Sequence, residues 1–225
     1  MKKIITLLVI LIMGAGATAQ ETSAPDYTQI EKNIQDASSP YYYPALEARY
    51  NKADASLTTD QLRHLYYGNL FVAHKVQTST ASVALDGFNQ ILSKPSPDKN
   101  DYIKALTYSN VLLQYKPFSI LLKQYRMFCL KELGQYDDAI KERAQIEMIA
   151  DAIMSSGTGN DRNNSIHVID SDNQQEVLGL LHFEPNAESK IITGNNEYVP
   201  VADNLYKTTG VYFYMHQPQR QISGL

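Results

Sequence analysis

Cysteine and tryptophan are nearly missing from this chain: of its 225 residues, one is Cys and none is Trp. A single thiol cannot form a disulfide within the chain, so we predict a fold that is held together by packing alone. Cys129 lies in the apolar stretch 125–130, where a free thiol is more typical of a buried side chain than of a nucleophile. The lack of Trp also makes a glycan-binding aromatic surface less favoured.

Positive charge is in short supply as well, with 20 Lys and Arg against 24 Asp and Glu, a net charge of −4. A protein that binds the phosphate backbone of nucleic acids needs a basic surface, so the charge balance argues against that class of partner. Apolar residues make up 44% and charged residues 20% of the chain, proportions that exclude wholesale disorder.

Long apolar runs are absent beyond the first residues. A basic start at residues 1–3, an apolar run over 4–13 and the triplet Ala17-Thr18-Ala19 form the pattern of a secretory signal peptide. The alternative, a membrane anchor, needs about 20 apolar residues, and no cysteine follows the run to carry a lipid anchor. We therefore predict cleavage after Ala19 and a periplasmic or secreted mature chain, residues 20–225, with no membrane span.

Helix signals dominate residues 20–155. Asp26 is a good N-cap for a helix over 27–36, and Thr58 with Gln61 has the spacing of a capping box. After a helix near 82–92, two segments share the pattern Tyr-x-x-Ala-apolar, at 102–106 and at 136–140, 34 residues apart. This period resembles that of tetratricopeptide helix pairs. An unrelated stack of helical hairpins is the alternative.

The second copy of this pattern is the fuller one. Gly134 precedes it and fits a helix end that needs a left-handed residue, and Ala139 leaves room for two helices to approach closely.

After residue 155 the pattern changes to turn residues and short alternating runs typical of strands, at 165–170, 197–202 and 210–215. The segments 176–183 and 190–193 fit either a helix or a strand. We predict an α+β protein, in which a helical, tetratricopeptide-like domain (20–155) packs against a small β-rich module (156–225) behind the signal peptide (1–19).

Several short motifs carry a further resemblance. They are Arg49-Tyr50, Leu57-Thr58, Leu65-Tyr66-Tyr67-Gly68, Ser156-Gly157-x-Gly159, Ile166-His167-Val168-Ile169 and Val211-Tyr212-Phe213. In order and spacing they resemble domain-of-unknown-function family 4919, exported proteins of Gram-negative gut anaerobes. The resemblance implies export but no chemistry, since that family has no established activity.

Motifs that carry chemistry are absent from the sequence. It has no Gly-rich phosphate loop, no Gly-x-Ser-x-Gly elbow, no His-Glu-x-x-His and no paired-Cys zinc pattern. His64 and His74 are ten residues apart, near opposite faces of a continuous helix, and make a poor metal pair. We predict no catalytic residue, no metal site and no cofactor from these patterns.

Three residues are candidates for ligand binding: Tyr66, Tyr67 and His167. Clustered tyrosines suit an aromatic groove for a peptide or a glycan, although buried rings with satisfied hydroxyls are the more ordinary alternative. His167 is more typical of a partly buried structural histidine than of a general base. We predict a non-enzymatic interaction protein whose partner is an unknown envelope protein or peptide. A hydrolase with a site between the helices and the segment Ser156–Val168 is the alternative.

Overall fold

The structure is a computed structural model that describes residues 22–72, 78–186 and 190–216. The predicted signal peptide and predicted cleavage site after Ala19 lie outside the described residues, and so does His74. Within them the chain forms eight α-helices and one four-stranded mixed sheet, so the prediction of an α+β protein is confirmed.

The helices follow one another over most of the described chain. Their bounds are α1 Tyr27–Gln35, α2 Tyr43–Asn51, α3 Thr59–Gly68, α4 Thr78–Leu92, α5 Lys99–Tyr115, α6 Ile120–Glu132, α7 Tyr136–Met154 and α8 Ser171–Leu180. Short 3-10 turns stand at Asn69–Phe71 and Arg162–Asn164. None of these described helices is both long and apolar enough to cross a lipid bilayer.

Helix ends follow the predicted capping residues. The Asp26 side chain accepts a hydrogen bond from Gln29 N at the start of α1, and Thr58 and Gln61 form a reciprocal capping box at the start of α3. Gly134 lies between α6 and α7 with φ +75°, the left-handed conformation that ends a helix at little cost only for glycine. Ala139 is buried, as a close helix–helix approach requires. Tetratricopeptide-like packing stays a prediction.

The sheet is built from four short strands: β1 Ile166–Val168, β2 Ile191–Thr193, β3 Asn196–Pro200 and β4 Gly210–Met215. Their order is β1-β4-β3-β2; β1 runs parallel to β4, and the other neighbours are antiparallel. Of the two ambiguous segments, 176–183 falls mostly in α8 and 190–193 mostly in β2.

The larger hydrophobic core joins the first helices to the sheet. Side chains from α1, α2, α3 and α7 pack there with side chains from β1, β3, β4 and α8. A second core lies among α4, α5 and α6 and includes Cys129, whose thiol is buried as predicted. Burial raises the pKa of this thiol to about 11, so it stays protonated and packs as an apolar group. The boundary at residue 155 stays a prediction, and the larger core extends across it.

Candidate functional site

The outer edge of β1 is closed by side-chain hydroxyls. His167 N donates to Ser156 Oγ at 2.9 Å, and the Tyr67 hydroxyl donates to His167 O at 3.3 Å. One residue beyond the strand, Ile169 N donates to the Tyr66 hydroxyl at 3.3 Å. An exposed strand edge invites pairing with other chains. Here the hydroxyls form hydrogen bonds with the backbone groups at this edge instead. The contacts also bring three of the sequence motifs together.

Two glycines allow the chain to turn so closely beneath β1. A Cβ on Gly157 would lie 2.2 Å from Ser165 O, and Gly159 has φ +72° with Val211 Cγ1 2.6 Å from where its Cβ would be. Larger residues would push the turn away from the sheet. Ser156 would then lose its position below His167 N.

The tyrosine pair predicted to bind a ligand lies in the larger core. Tyr66 is 1% and Tyr67 0% exposed, and their rings meet edge to face at 4.9 Å. Burial raises the pKa of both phenols, so both hydroxyls remain donors. This arrangement favours the packing alternative. A ligand-binding role for the pair stays a prediction, and neither ring offers a ligand an open surface in this conformation.

His167 is buried at 8% exposure beneath aromatic rings. Its Nδ1 lies 3.0 Å from the Tyr27 hydroxyl, and the Tyr214 ring packs at 4.5 Å. Burial, with smaller contributions from the charges of Arg63 and His216, lowers the pKa of His167 to about 4. The imidazole is therefore neutral at pH 7. Because burial keeps the Tyr27 phenol protonated, we assign Nδ1 as the acceptor of its proton and place the ring proton on Nε2.

This geometry holds the histidine in place and does not pair its imidazole with the nearby Ser156 hydroxyl. The Ser156 hydroxyl bonds to the backbone of His167 and of Ile153, not to the imidazole ring. A nucleophile and its base need a hydrogen bond between their side chains. The structure therefore brings Tyr66, Tyr67 and His167 together around β1 as a packed cluster.

An open cleft of about 170 Å³ lies just beyond the carboxyl end of β1. Its walls are formed by residues 69–70 after α3, residues 115–119 where α5 leads into α6, and residues 169–170 and 172–173 after β1. The lining residues are Asn69, Leu70, Tyr115, Lys116, Pro117, Phe118, Ser119, Ile169, Asp170, Asp172 and Asn173. We call it the Lys116 cleft. Tyr66, Tyr67 and His167 are not among the residues that line it.

Charges of both signs stand at the rim of the Lys116 cleft. Lys116 Nζ lies 3.3 Å from Asp170 Oδ1 and 2.5 Å from Asp172 Oδ2. Burial of the ammonium favours its neutral form, but the hydrogen bond that Lys116 donates to Asp172 and the charges of both carboxylates outweigh this effect and raise the pKa of Lys116. One cation therefore faces two anions, and the rim carries a net negative charge.

A hydrogen-bond network connects the cleft to the tyrosine pair. The Tyr66 hydroxyl donates to Asn173 Oδ1 at 2.7 Å, and Asn173 Nδ2 donates to Glu176 Oε2 at 2.6 Å. Glu176 Oε1 accepts from the Ser119 hydroxyl at 2.7 Å and from Leu121 N at 2.9 Å. Burial raises the pKa of Glu176 against these hydrogen bonds. The floor of the cleft is therefore tied to the core.

Reasoning from the sequence missed Lys116, Asp170, Asp172 and Glu176. The one local signal available was Asp170, which is a good N-cap residue and does cap α8 by accepting from Asp172 N. Lys116 offers no such signal, because its partners lie 54 and 56 positions further along the chain.

No group of three or more His, Cys, Asp or Glu side chains in residues 22–72, 78–186 and 190–216 has the arrangement of a metal site. Comparison with curated proteins gave no match, and neither did comparison with solved structures. A family model described as "Domain of unknown function (DUF4919)" matches residues 28–223, a range that includes Tyr66, Tyr67, His167, the Lys116 cleft and nearly all of the described chain. The chain therefore belongs to the DUF4919 family.

Proposed function

We propose that this is an exported protein that acts by binding an envelope protein or peptide, not by catalysis, and that the Lys116 cleft is where the partner docks. The observation that carries the proposal is the cleft itself. It is open and it places apolar walls beside a charged rim, whereas the cluster around His167 is closed.

The size of the cleft favours a side chain as its occupant. Pockets for small-molecule substrates have volumes of roughly 300–1,000 Å³ and bury most of the ligand. The Lys116 cleft has about 170 Å³, which suits one large apolar side chain of a partner. A protein or peptide supplies such a side chain together with backbone groups that reach the rim.

The chemistry of the lining agrees with a peptide-like occupant. Leu70, Pro117 and Phe118 supply apolar surface, while Asp170 and Asp172 stand at the rim. A partner segment with an apolar side chain followed by a basic one would place the apolar group against this apolar surface and the basic group beside the rim carboxylates. Buried groups below the cleft hold the walls in position, so little entropy would be lost on binding.

A hydrolase site between the helices and Ser156–Val168 has less support. A general base must reach the proton that it abstracts, and His167 has its Nδ1 beside the Tyr27 hydroxyl and its ring against Tyr214. The lowered pKa of His167, about 4, also makes it a weak base.

Export rests on the leader pattern of residues 1–19. The mature chain would reach an oxidising compartment with only Cys129, which lies buried in the second core, so it depends on no disulfide. Expression of the full chain in a Gram-negative host, followed by fractionation and amino-terminal sequencing, tests this part of the proposal. We expect a periplasmic or secreted product that begins at Gln20. A cytoplasmic product that retains Met1 would contradict export.

Binding at the cleft is tested by adding short peptides to the ¹⁵N-labelled mature protein. Three end-blocked probes, Gly-Leu-Lys-Gly, Gly-Leu-Glu-Gly and Gly-Ser-Lys-Gly, separate the apolar contribution from the charge. We expect Gly-Leu-Lys-Gly to shift the amide signals of residues 69–70, 116, 118–119 and 169–173 at millimolar concentration, and the other two probes to shift them less.

Two variants provide the control for this titration. Asp172→Asn should weaken binding of Gly-Leu-Lys-Gly because it removes a rim carboxylate. Asp138→Asn removes a carboxylate of similar exposure on α7, paired with Lys141, and should change nothing. If no probe shifts the cleft amides up to about 10 mM, a concentration that would reveal even very weak binding, docking at the Lys116 cleft is wrong.

A further inference from the structure

The loop between β3 and β4 presents two large apolar side chains to solvent. Leu205 is 97% and Tyr206 70% exposed, and both stand near the apex between Pro200 and Gly210. A leucine this exposed contributes almost nothing to the folding of its own domain. Its hydrophobic surface remains free to be buried against something else.

The loop is ordered by hydrogen bonds that do not use Leu205. Asn204 Nδ2 donates to Ala202 O at 3.0 Å and to Thr208 O at 2.7 Å. Asn204 Oδ1 accepts from Tyr206 N at 3.1 Å and from Thr208 N at 3.2 Å. An apolar side chain on a turn that is already ordered loses little entropy on binding. These contacts make the apex a preorganised knob, which we call the Leu205 loop.

We propose that the Leu205 loop of one copy of this chain docks into the Lys116 cleft of a second copy. This inference rests on the proposed function, because it names the occupant of the same cleft. Leu205 makes almost no contact within its own chain, so its side chain is free to contact a second molecule.

Size and charge both favour a second copy as the partner. A leucine side chain suits a cleft of about 170 Å³ whose walls include Leu70 and Phe118. The exposed Asp203 and Lys207 flank the apolar pair, and the cleft rim carries charges of both signs. Because one cation at the rim faces two carboxylates, the rim is net negative, and Lys207, two positions after Leu205, supplies the complementary positive charge.

The geometry of such a contact is head to tail, since the loop and the cleft are different surfaces of the chain. Contacts of this kind lead to rings or open filaments, not to closed two-fold dimers. One loop in one small cleft buries much less surface than the roughly 1,600 Å² of a stable interface. The association must therefore be weak and must depend strongly on concentration.

The test is sedimentation velocity of the mature chain, residues 20–225, from about 10 µM to about 1 mM, the range in which weak association becomes measurable. We expect a reversible rise in mean sedimentation coefficient with concentration. Leu205→Ser should weaken association by at least about tenfold, because it removes the apolar side chain that is buried in the contact. Ile192→Ser, on exposed β2 of the same sheet, is the matched control and should associate like the wild type.

A charge exchange shows whether the loop meets this cleft or another surface. Asp172→Lys and Lys207→Asp should each weaken association, and the double variant should restore it because the two charges have changed places. Circular dichroism of each variant checks that the fold is kept. Association that the double variant fails to restore would overturn the assignment of the cleft.

Other occupants would give different results. If the wild type stays monomeric over the whole range while Gly-Leu-Lys-Gly still binds the cleft, docking of a second copy is wrong and the proposed function stands. If Leu205→Ser associates as strongly as the wild type, the loop is not the contact. Association that requires added lipid vesicles would point to a membrane and would also overturn the proposal.

Discussion

At the centre of β1, His167 lies beneath Tyr27 and Tyr214 and is 8% exposed, whereas Asp170 and Asp172, just past its carboxyl end, stand at the rim of an open cleft. Tyr66 connects the buried cluster to the cleft, since its hydroxyl accepts a hydrogen bond from Ile169 N and donates one to Asn173 Oδ1. Residues that look functional in the sequence can therefore lie in the core and contribute to packing. The charged rim of the Lys116 cleft is formed by Lys116, Asp170 and Asp172, which belong to none of the motifs.

Of the substitutions that distinguish the buried cluster around His167 from the Lys116 cleft, Tyr67→Ala is expected to have the largest effect on stability. Tyr67 is fully buried, and removal of a buried aromatic ring costs about 4 kcal/mol in free energy of unfolding. Urea unfolding followed by circular dichroism measures this loss. Tyr136→Ala, at a 64% exposed position, is the control and should change stability by no more than about 0.5 kcal/mol. A small loss at Tyr67 would mean that the cluster is not a core.

The second effect is a dependence of stability on pH that originates at His167. Its pKa is about 4 in the folded protein and about 6.5 in the unfolded chain. Between these values the unfolded chain binds more protons than the folded protein, so stability is complete above about pH 6.5 and falls as the pH drops towards 4. The loss amounts to about 3 kcal/mol, since each pKa unit corresponds to about 1.4 kcal/mol.

Urea unfolding of the wild type and of His167→Phe at several pH values measures this effect. The variant has no imidazole at this position and should lose less stability than the wild type between pH 6.5 and pH 4, although its stability at pH 7 is lower because Tyr27 loses its acceptor. Titration of groups common to both proteins cancels in the difference between the two curves. Parallel curves would contradict a buried neutral His167.

The smallest effect on stability is expected at the cleft. Asp172→Asn removes one partner of Lys116, but the Asp172 side chain is 61% exposed and Asp170 remains beside the ammonium. Exposed ion pairs contribute at most about 1 kcal/mol, so the free energy of unfolding should fall by less than that and resemble the effect of Asp138→Asn. A loss as large as that of Tyr67→Ala would mean that the cleft rim supports the fold.

Local features of the fold could be predicted because a few neighbouring residues determine them. Asp26 caps α1, and Thr58 and Gln61 form a capping box at the start of α3. Gly134 adopts the left-handed conformation between α6 and α7. The alternating apolar pattern of 210–215 became β4. Each of these depends on backbone conformation and hydrogen bonds within one or two turns.

The helix α8 was harder to predict, because it has only ten residues and a mixed apolar pattern, and short apolar runs fit a helix or a strand equally well. Packing of this segment in the folded protein favours the helix. Val177 and Leu178 are completely buried in the larger core, and Glu176 holds the start of α6. These contacts come from parts of the chain that are far apart in sequence.

Local backbone preferences and composition are enough to predict the capping residues, the helix-ending glycine, the α+β class and the lack of a disulfide within the chain. The folded chain is needed to show that Tyr66, Tyr67 and His167 are buried together and that Lys116, Asp170 and Asp172 share an open rim. The physical reason is that burial and charge pairing depend on which distant segments meet. Lys116 and Asp170 are 54 positions apart, and no pattern within either segment shows that they are neighbours.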